Sequence, residues 1–206
     1  MVDSTVLNPA QTAGIAELKT EAIRKSLHAL IALSPSLAAL SLPFTVLALC
    51  LGTLGYAVME RLRLSGVQVP LVSALTRMAS RPRDAQGYVL GPVTLGLGAL
   101  LALTLFPLPA ASIAIYALAF GDGFASLAGR LYGRRRPAFL FGKSVEGSMA
   151  CFTAVFVCAY MVSRSPAVSL AAAFAATAVE ALPLEDYDNV AIPLVVGIII
   201  QSLALT

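Results

Sequence analysis

The chain has 206 residues, a net charge of +3, 58% hydrophobic residues and only 12% charged ones. Soluble domains carry about 25% charged residues, so this composition, with a mean hydropathy of +0.85, excludes a soluble domain hung on an anchor. It predicts one polytopic membrane domain over 1–206, with basic residues that serve topology and no nucleic-acid partner.

Residues 1–26 are polar and lack the early apolar run of a cleavable leader. They predict a polar lead-in helix on the cytoplasmic side. Apolar runs follow at 27–41, 43–60, 88–106, 108–132, 146–163, 166–182 and 190–206. A membrane helix needs about 20 such residues, so the expected fold is an all-α bundle of about seven transmembrane helices. The first run is short and contains Ser34-Pro35-Ser36, which predicts a kink or partial embedding; six spans is the alternative. Between the second and third runs, residues 61–87 form a long polar connection carrying Arg61, Arg63, Arg77, Arg81 and Arg83. The three cysteines, Cys50, Cys151 and Cys158, lie in apolar runs without ligand spacing and read as packed thiols.

Cytoplasmic loops are enriched in Lys and Arg. With the N-terminus inside and seven crossings, 13 of the 14 Lys and Arg fall on the cytoplasmic side and only Arg164 falls outside. All 11 acidic residues also fall at that side, although the rule does not demand it. Any chemistry therefore faces the cytoplasm.

Five clusters carry candidate chemistry. Glu21, Arg24, Lys25 and His28 share one helical face, suited either to lipid headgroups or to closing over an anionic substrate. Glu60 and Arg63 end the second span and read as an anchoring helix-end cluster. Asp122, within Gly121-Asp122-Gly123, lies in an apolar run, where a carboxylate costs roughly 2.5–3.5 kcal/mol at a helix centre. Asp122, Ser126 and Arg130 are four apart and line one face, beside small residues that permit close approach. Gly142-Lys143-Ser144-Val145-Glu146-Gly147-Ser148 resembles the end of a Walker A loop but has Pro137 where that motif needs glycine, and no strand precedes it. It still offers a lysine, hydroxyls and backbone amides before a helix, a setting that suits phosphate. Last come Glu180 and Glu185-Asp186-Tyr187-Asp188-Asn189. Mg²⁺ in phosphoryl-transfer sites takes one or two carboxylates plus phosphate oxygens, and Asp122 and Asp188 are the natural pair.

These segments, in this order, resemble the CTP-dependent lipid kinases: dolichol kinase, phytol kinase and the CTP-dependent diacylglycerol kinase. The resemblance runs from about residue 21 to 197. It comprises Glu21-x-x-Arg24-Lys25-x-x-His28, Gly91-Pro92, Gly121-Asp122-Gly123-x-Ala125-x-x-x-Gly129-Arg130-x-x-Gly133, Lys143-Ser144-x-Glu146-Gly147-Ser148 and Glu180 followed by Asp188-Asn189-x-x-Ile192-Pro193. It implies CTP as phosphoryl donor, Mg²⁺ as cofactor, a membrane lipid alcohol as acceptor, and a metal–triphosphate handled by Asp122 with Asp188 or Asn189. Lys143, Arg130, Arg24, Lys25 and the backbone around Gly142, Ser144 and Gly147 are then expected at the nucleotide. Glu146 or Glu180 is expected to accept the alcohol proton. The related phosphatidate cytidylyltransferases share the central pattern but usually read Ser-Pro-Lys-Lys-Thr-x-Glu-Gly where this chain has Phe141-Gly142-Lys143-Ser144-Val145-Glu146-Gly147. A cytidylyltransferase is thus the alternative, and a membrane transporter the second. The sequence leaves open which lipid is the acceptor and whether the protein is a homodimer.

Overall fold

The computed structural model describes residues 9–70, 73–74 and 87–204; Arg77, Arg81 and Arg83 lie outside them. The elements, in order, are α1 (Pro9–Ala29), a 3₁₀ turn (Leu30–Leu33), α2 (Ser34–Leu40), α3 (Leu42–Leu64) and α4 (Gly91–Leu105). Then come α5 (Leu108–Tyr116), a π-helical turn (Ala117–Asp122), α6 (Gly123–Leu131), α7 (Val145–Ser163), α8 (Pro166–Glu180) and α9 (Asp188–Ala204). No strand occurs among the described residues, so the fold is an all-α membrane bundle.

Four segments are long and apolar enough to cross a membrane: Leu42–Leu64, Leu108–Leu131, Val145–Ser163 and Glu185–Leu203. Two expected spans are shorter helices, α4 and α8, of 15 residues each. At 1.5 Å per residue such a helix rises about 22 Å, less than the roughly 30 Å hydrocarbon core. The expected first span, 27–41, is not one helix. The chain tightens into the 3₁₀ turn, and Pro35 sits in the first turn of α2, where its missing N–H costs nothing. Of the seven expected apolar segments, four are long helices, two are the short helices α4 and α8, and the first is broken into the 3₁₀ turn and α2.

The segment 108–131 is the most enclosed of the four. Its core residues Ala111, Ala114, Ile115, Ala117 and Leu118 are fully shielded, as are Ala99 and Ala102 of α4, Cys151, Val155 and Ala159 of α7, Ala172, Ala173 and Ala176 of α8, and Ile192 and Val196 of α9. Alanine dominates because membrane helices gain association from close backbone approach rather than from a hydrophobic driving force. Cys50, Cys151 and Cys158 are unbridged, as expected. The turns at one end of the bundle are Ser41, Phe106–Pro107 and Arg164–Ser165, and Arg164 is their only charge. The opposite, charged end receives the polar connections 132–144 and 181–187.

One seam illustrates how the charged end is fixed. Pro193 lies inside α9 and has no N–H to offer the carbonyl of Asn189 one turn earlier. Gly98 of α4 packs against that carbonyl, and a Cβ there would also come within 3.2 Å of Pro193 Cγ. The Asn189 side-chain amide donates to Thr94 Oγ1 at 2.9 Å and to the Gly91 carbonyl at 3.3 Å. Two of the sequence clusters, Gly91-Pro92 and Asn189…Pro193, are thus the two sides of one helix contact. Gly98→Ala is expected to destabilise the detergent-solubilised protein by about 1–3 kcal/mol, the usual effect of overpacking. Gly55→Ala, at a position with nothing within 4 Å, is expected to be neutral or slightly stabilising. Thermal unfolding of the two variants checks this; equal midpoints would remove the proposed role of the seam.

Candidate active site

Helix α1 lies along α6 in antiparallel register, and the matching is residue by residue. Glu21 accepts from Ser126 Oγ and from Arg24 at 2.5 Å, and its second oxygen lies 3.4 Å from Arg130. Lys25 Nζ donates to Asp122 Oδ2. His28 Nε2 is 3.3 Å from the Leu118 carbonyl and 3.5 Å from Asp122 Oδ2. Two polar faces with helical spacing thus pair with each other, and Glu21, Lys25, His28 and Asp122 are all buried. Burial alone would raise the Glu21 carboxyl, but the Arg24 hydrogen bond and charge, with the Ser126 hydroxyl, hold it down at about 2. Asp122 closes the π-helical turn, a feature that often marks functional sites in helices.

Beside this contact opens a cavity of about 280 Å³. The end of the π-helical turn contributes Asp122, α6 contributes Ser126 and Arg130, and α1 contributes Arg24. The end of α8 and the turn after it contribute Glu180, Pro183 and Glu185, and α9 begins with Asp188 in the wall. The loop before α7 and the first turn of that helix contribute Gly142, Lys143, Ser144, Gly147 and Ser148. Ser144 caps that helix, its Oγ accepting from Gly147 N at 3.1 Å. The free amides and partial positive charge of a helix N-terminus favour an anion.

Packing positions the Ser144 turn. A Cβ on Gly133 would come within 2.7 Å of Ser144 Oγ, and one on Gly129 within 3.1 Å. Arg136 staples the loop, donating to the carbonyls of Gly142 at 2.6 Å and Gly129 at 3.2 Å. Gly142 takes φ 88°, which suits glycine. The four-residue glycine spacing of the sequence therefore makes room for the turn that carries Lys143 and Ser144.

The structure gathers Asp122, Arg24, Arg130, Gly142, Lys143, Ser144, Gly147, Glu180 and Asp188 around one cavity and places seven other candidates elsewhere, Glu21 and His28 in the α1 contact described above among them. Lys25, expected at the nucleotide, is spent on Asp122. Glu146, expected as a proton acceptor, turns away, and its carboxylate accepts from the backbone N of Arg135 at 3.3 Å. Asn189, expected at a metal, is bonded into the α4–α9 seam. Glu60, fully buried, takes both Arg63 guanidinium bonds, at 2.8 and 2.7 Å, and the Val89 amide at 3.1 Å. Arg63 also donates to the Gly87 carbonyl at 3.2 Å, so this pair clamps segment 87–90 and does not line the cavity. Ser148, Pro183, Glu185 and Arg136 also line the cavity and were not singled out as site residues. Arg136 was indistinguishable from its neighbours in a basic run, whereas Ser148 lay inside a noted motif.

Three electrostatic features stand out. Lys143 Nζ donates to Glu180 Oε1 at 2.8 Å and to the Glu180 carbonyl. Glu180 Oε2 and Ser148 Oγ are buried without a hydrogen-bond partner among the described residues, a condition that costs about 1–3 kcal/mol per group. Asp188 forms no ion pair with a described residue. No three Asp, Glu, His or Cys side chains among the described residues converge to hold a metal ion by themselves. Two carboxylates on one cavity wall, completed by phosphate oxygens and water, match the way Mg²⁺ is held with nucleotides.

The fold and cavity thus define a class: an all-α membrane bundle with a mixed-charge pocket at one end. No protein-family model, curated protein or solved structure matches the chain.

Removing one partner of a buried pair leaves an uncompensated charge, typically at a cost of 3–5 kcal/mol. Lys25→Met is therefore expected to lower the unfolding midpoint well below that of the parent. Lys25→Met combined with Asp122→Asn is expected to recover part of the loss. If Lys25→Met melts like the parent protein, the pair does not hold α1 in place.

Proposed function

We infer that the protein is a CTP-dependent lipid kinase working at the cytoplasmic membrane face: lipid–OH + CTP → lipid–phosphate + CDP. The observation that carries this reading is convergence. Asp122, Arg130, Lys143 with the α7 N-terminus, Glu180 and Asp188 come from separate segments yet line one cavity at the charged end of a membrane bundle. Phosphoryl transfer needs mainly positioning and charge neutralisation, and this residue set suits both. The choice of CTP, and of a lipid alcohol as acceptor, comes from the resemblance of the motifs.

In this reading the α7 N-terminus, Lys143, Arg130 and Arg24 bind the triphosphate. Asp122 and Asp188 would hold Mg²⁺, which supplies neutralisation of charge on the phosphate oxygens. Lys25 acts as a positioning residue, fixing the Asp122 carboxylate from the side away from the cavity. Glu180 rather than Glu146 is the carboxylate placed to take the alcohol proton, because only Glu180 lines the cavity. The acceptor's hydroxyl reaches the site from the bilayer interface, which accounts for a cavity at helix ends.

Asp122→Asn and Asp188→Asn test the assignment. Each is expected to lower Mg²⁺-dependent CTP turnover with a lipid alcohol by about 10²–10³-fold, the usual loss when a transition-state electrostatic contact is removed. The Asp188→Asn protein is expected to accumulate in the membrane at near-parental levels, whereas Asp122→Asn also strips Lys25 of its buried partner, so its turnover is read per folded protein beside the Lys25→Met, Asp122→Asn double variant. Near-normal turnover by Asp122→Asn would show that the metal site has been assigned wrongly.

A further inference from the structure

We propose that Ser148 and Glu180 form the subsite for the acceptor's hydroxyl group, and that this subsite selects a neutral alcohol over a phosphate monoester. The proposal rests on the lipid-kinase reading and names the acceptor side of the same cavity. Ser148 lies in the first turn of α7 and Glu180 ends α8, two helices packed as a hairpin, and both residues line the cavity. Glu180 is only 5% exposed. Its oxygens are used differently. Oε1 accepts from Lys143 at 2.8 Å, while Oε2 has no partner among the described residues, and neither does Ser148 Oγ.

This pair of unpartnered atoms has a definite complement. A carboxylate oxygen only accepts, whereas a serine hydroxyl both donates and accepts. An alcohol offers one O–H to Glu180 Oε2 and a lone pair to the Ser148 hydroxyl, so one group satisfies both. A phosphate monoester dianion brings no donor to Oε2. The cavity wall carries Asp122, Glu180, Glu185 and Asp188 against Arg24, Arg130, Arg136 and Lys143, so the discrimination lies in the donor that Oε2 needs and not in net charge; Lys143 already pairs with Glu180 through Oε1.

The step balances with a nucleoside triphosphate as co-reactant. The alcohol oxygen bonds to the γ-phosphorus, and the alcohol proton passes to Glu180 Oε2. The bond from the γ-phosphorus to the bridging oxygen breaks, with its electron pair leaving on the nucleoside diphosphate.

The test uses the full-length protein in detergent with Mg²⁺ and CTP, and offers diacylglycerol, a polyprenol, phytol and phosphatidate. Ser148→Ala is expected to raise the acceptor KM about tenfold, the loss of one hydrogen bond. Its KM for CTP should stay within about twofold of the parent, which also reports an intact fold. Ser148→Thr keeps the hydroxyl and is expected to retain most of the affinity. Glu180→Gln keeps the Lys143 contact but is expected to lower kcat about 10²–10⁴-fold and to remove the acid limb of the pH profile. The parent protein should phosphorylate an alcohol and leave phosphatidate unchanged. An unaltered acceptor KM in Ser148→Ala, an unaltered pH profile in Glu180→Gln, or equal use of phosphatidate would overturn the subsite while leaving nucleotide-dependent transfer intact. Transfer to no acceptor by the parent would overturn the kinase reading itself, and the subsite with it.

Discussion

The buried contact between Lys25 and Asp122 is the constraint on which the rest of this structure depends. A lone carboxylate deep in an apolar helix is costly, and so is a lone buried ammonium. Each is tolerable only with the other, which ties α1 to the most enclosed segment of the bundle. Once that rung is set, the helical period fixes the others: Glu21 reaches Ser126 and Arg130, and His28 reaches Leu118. Arg24, on the neighbouring side of α1, is left facing the cavity. A single electrostatic requirement thus both docks the N-terminal helix and shapes one wall of the site.

The other walls follow from close packing rather than from charge. Glycines on α6 and just beyond it let the Ser144 turn settle against that helix, and Arg136 fastens the turn through two carbonyls. Gly98 and Asn189 lock α9 to α4 at the point where Pro193 leaves a carbonyl without its helical donor. Asp188, the residue before Asn189, is thereby held at the cavity. Residues that look like chemistry in the sequence therefore divide into two groups. Some face the cavity, and others hold the first group in position.

Much of this was legible in the sequence, and what was not has a common physical cause. The 3.6-residue spacing of Glu21, Lys25 and His28, and of Asp122, Ser126 and Arg130, revealed two polar faces. Nothing local shows that the two faces meet, because that depends on tertiary packing. Pro35 announced the break before α2. The apolar lengths of α4 and α8 overstated their helices, since the flanking residues turn into loops. Asn189 and Gly129 have their partners in distant segments, so their structural roles were hidden. Glu146 is different: an acidic residue in the first turn of a helix is favoured there whatever the function, and that local rule pointed away from catalysis. Ser148 was visible within its motif, but its lack of a partner appears only in three dimensions.

In the proposed reaction this cavity moves the terminal phosphate of a nucleoside triphosphate to a lipid hydroxyl. The most direct measurement incubates the purified protein with Mg²⁺, lipid alcohols and phosphatidate, and with CTP labelled in parallel at the γ- and the α-phosphate. γ-Label is expected in an alcohol-derived lipid phosphate, with α-label remaining in CDP. α-Label entering lipid with release of pyrophosphate would contradict it in favour of cytidylyl transfer. Label entering lipid from neither position would remove phosphoryl chemistry from the cavity altogether.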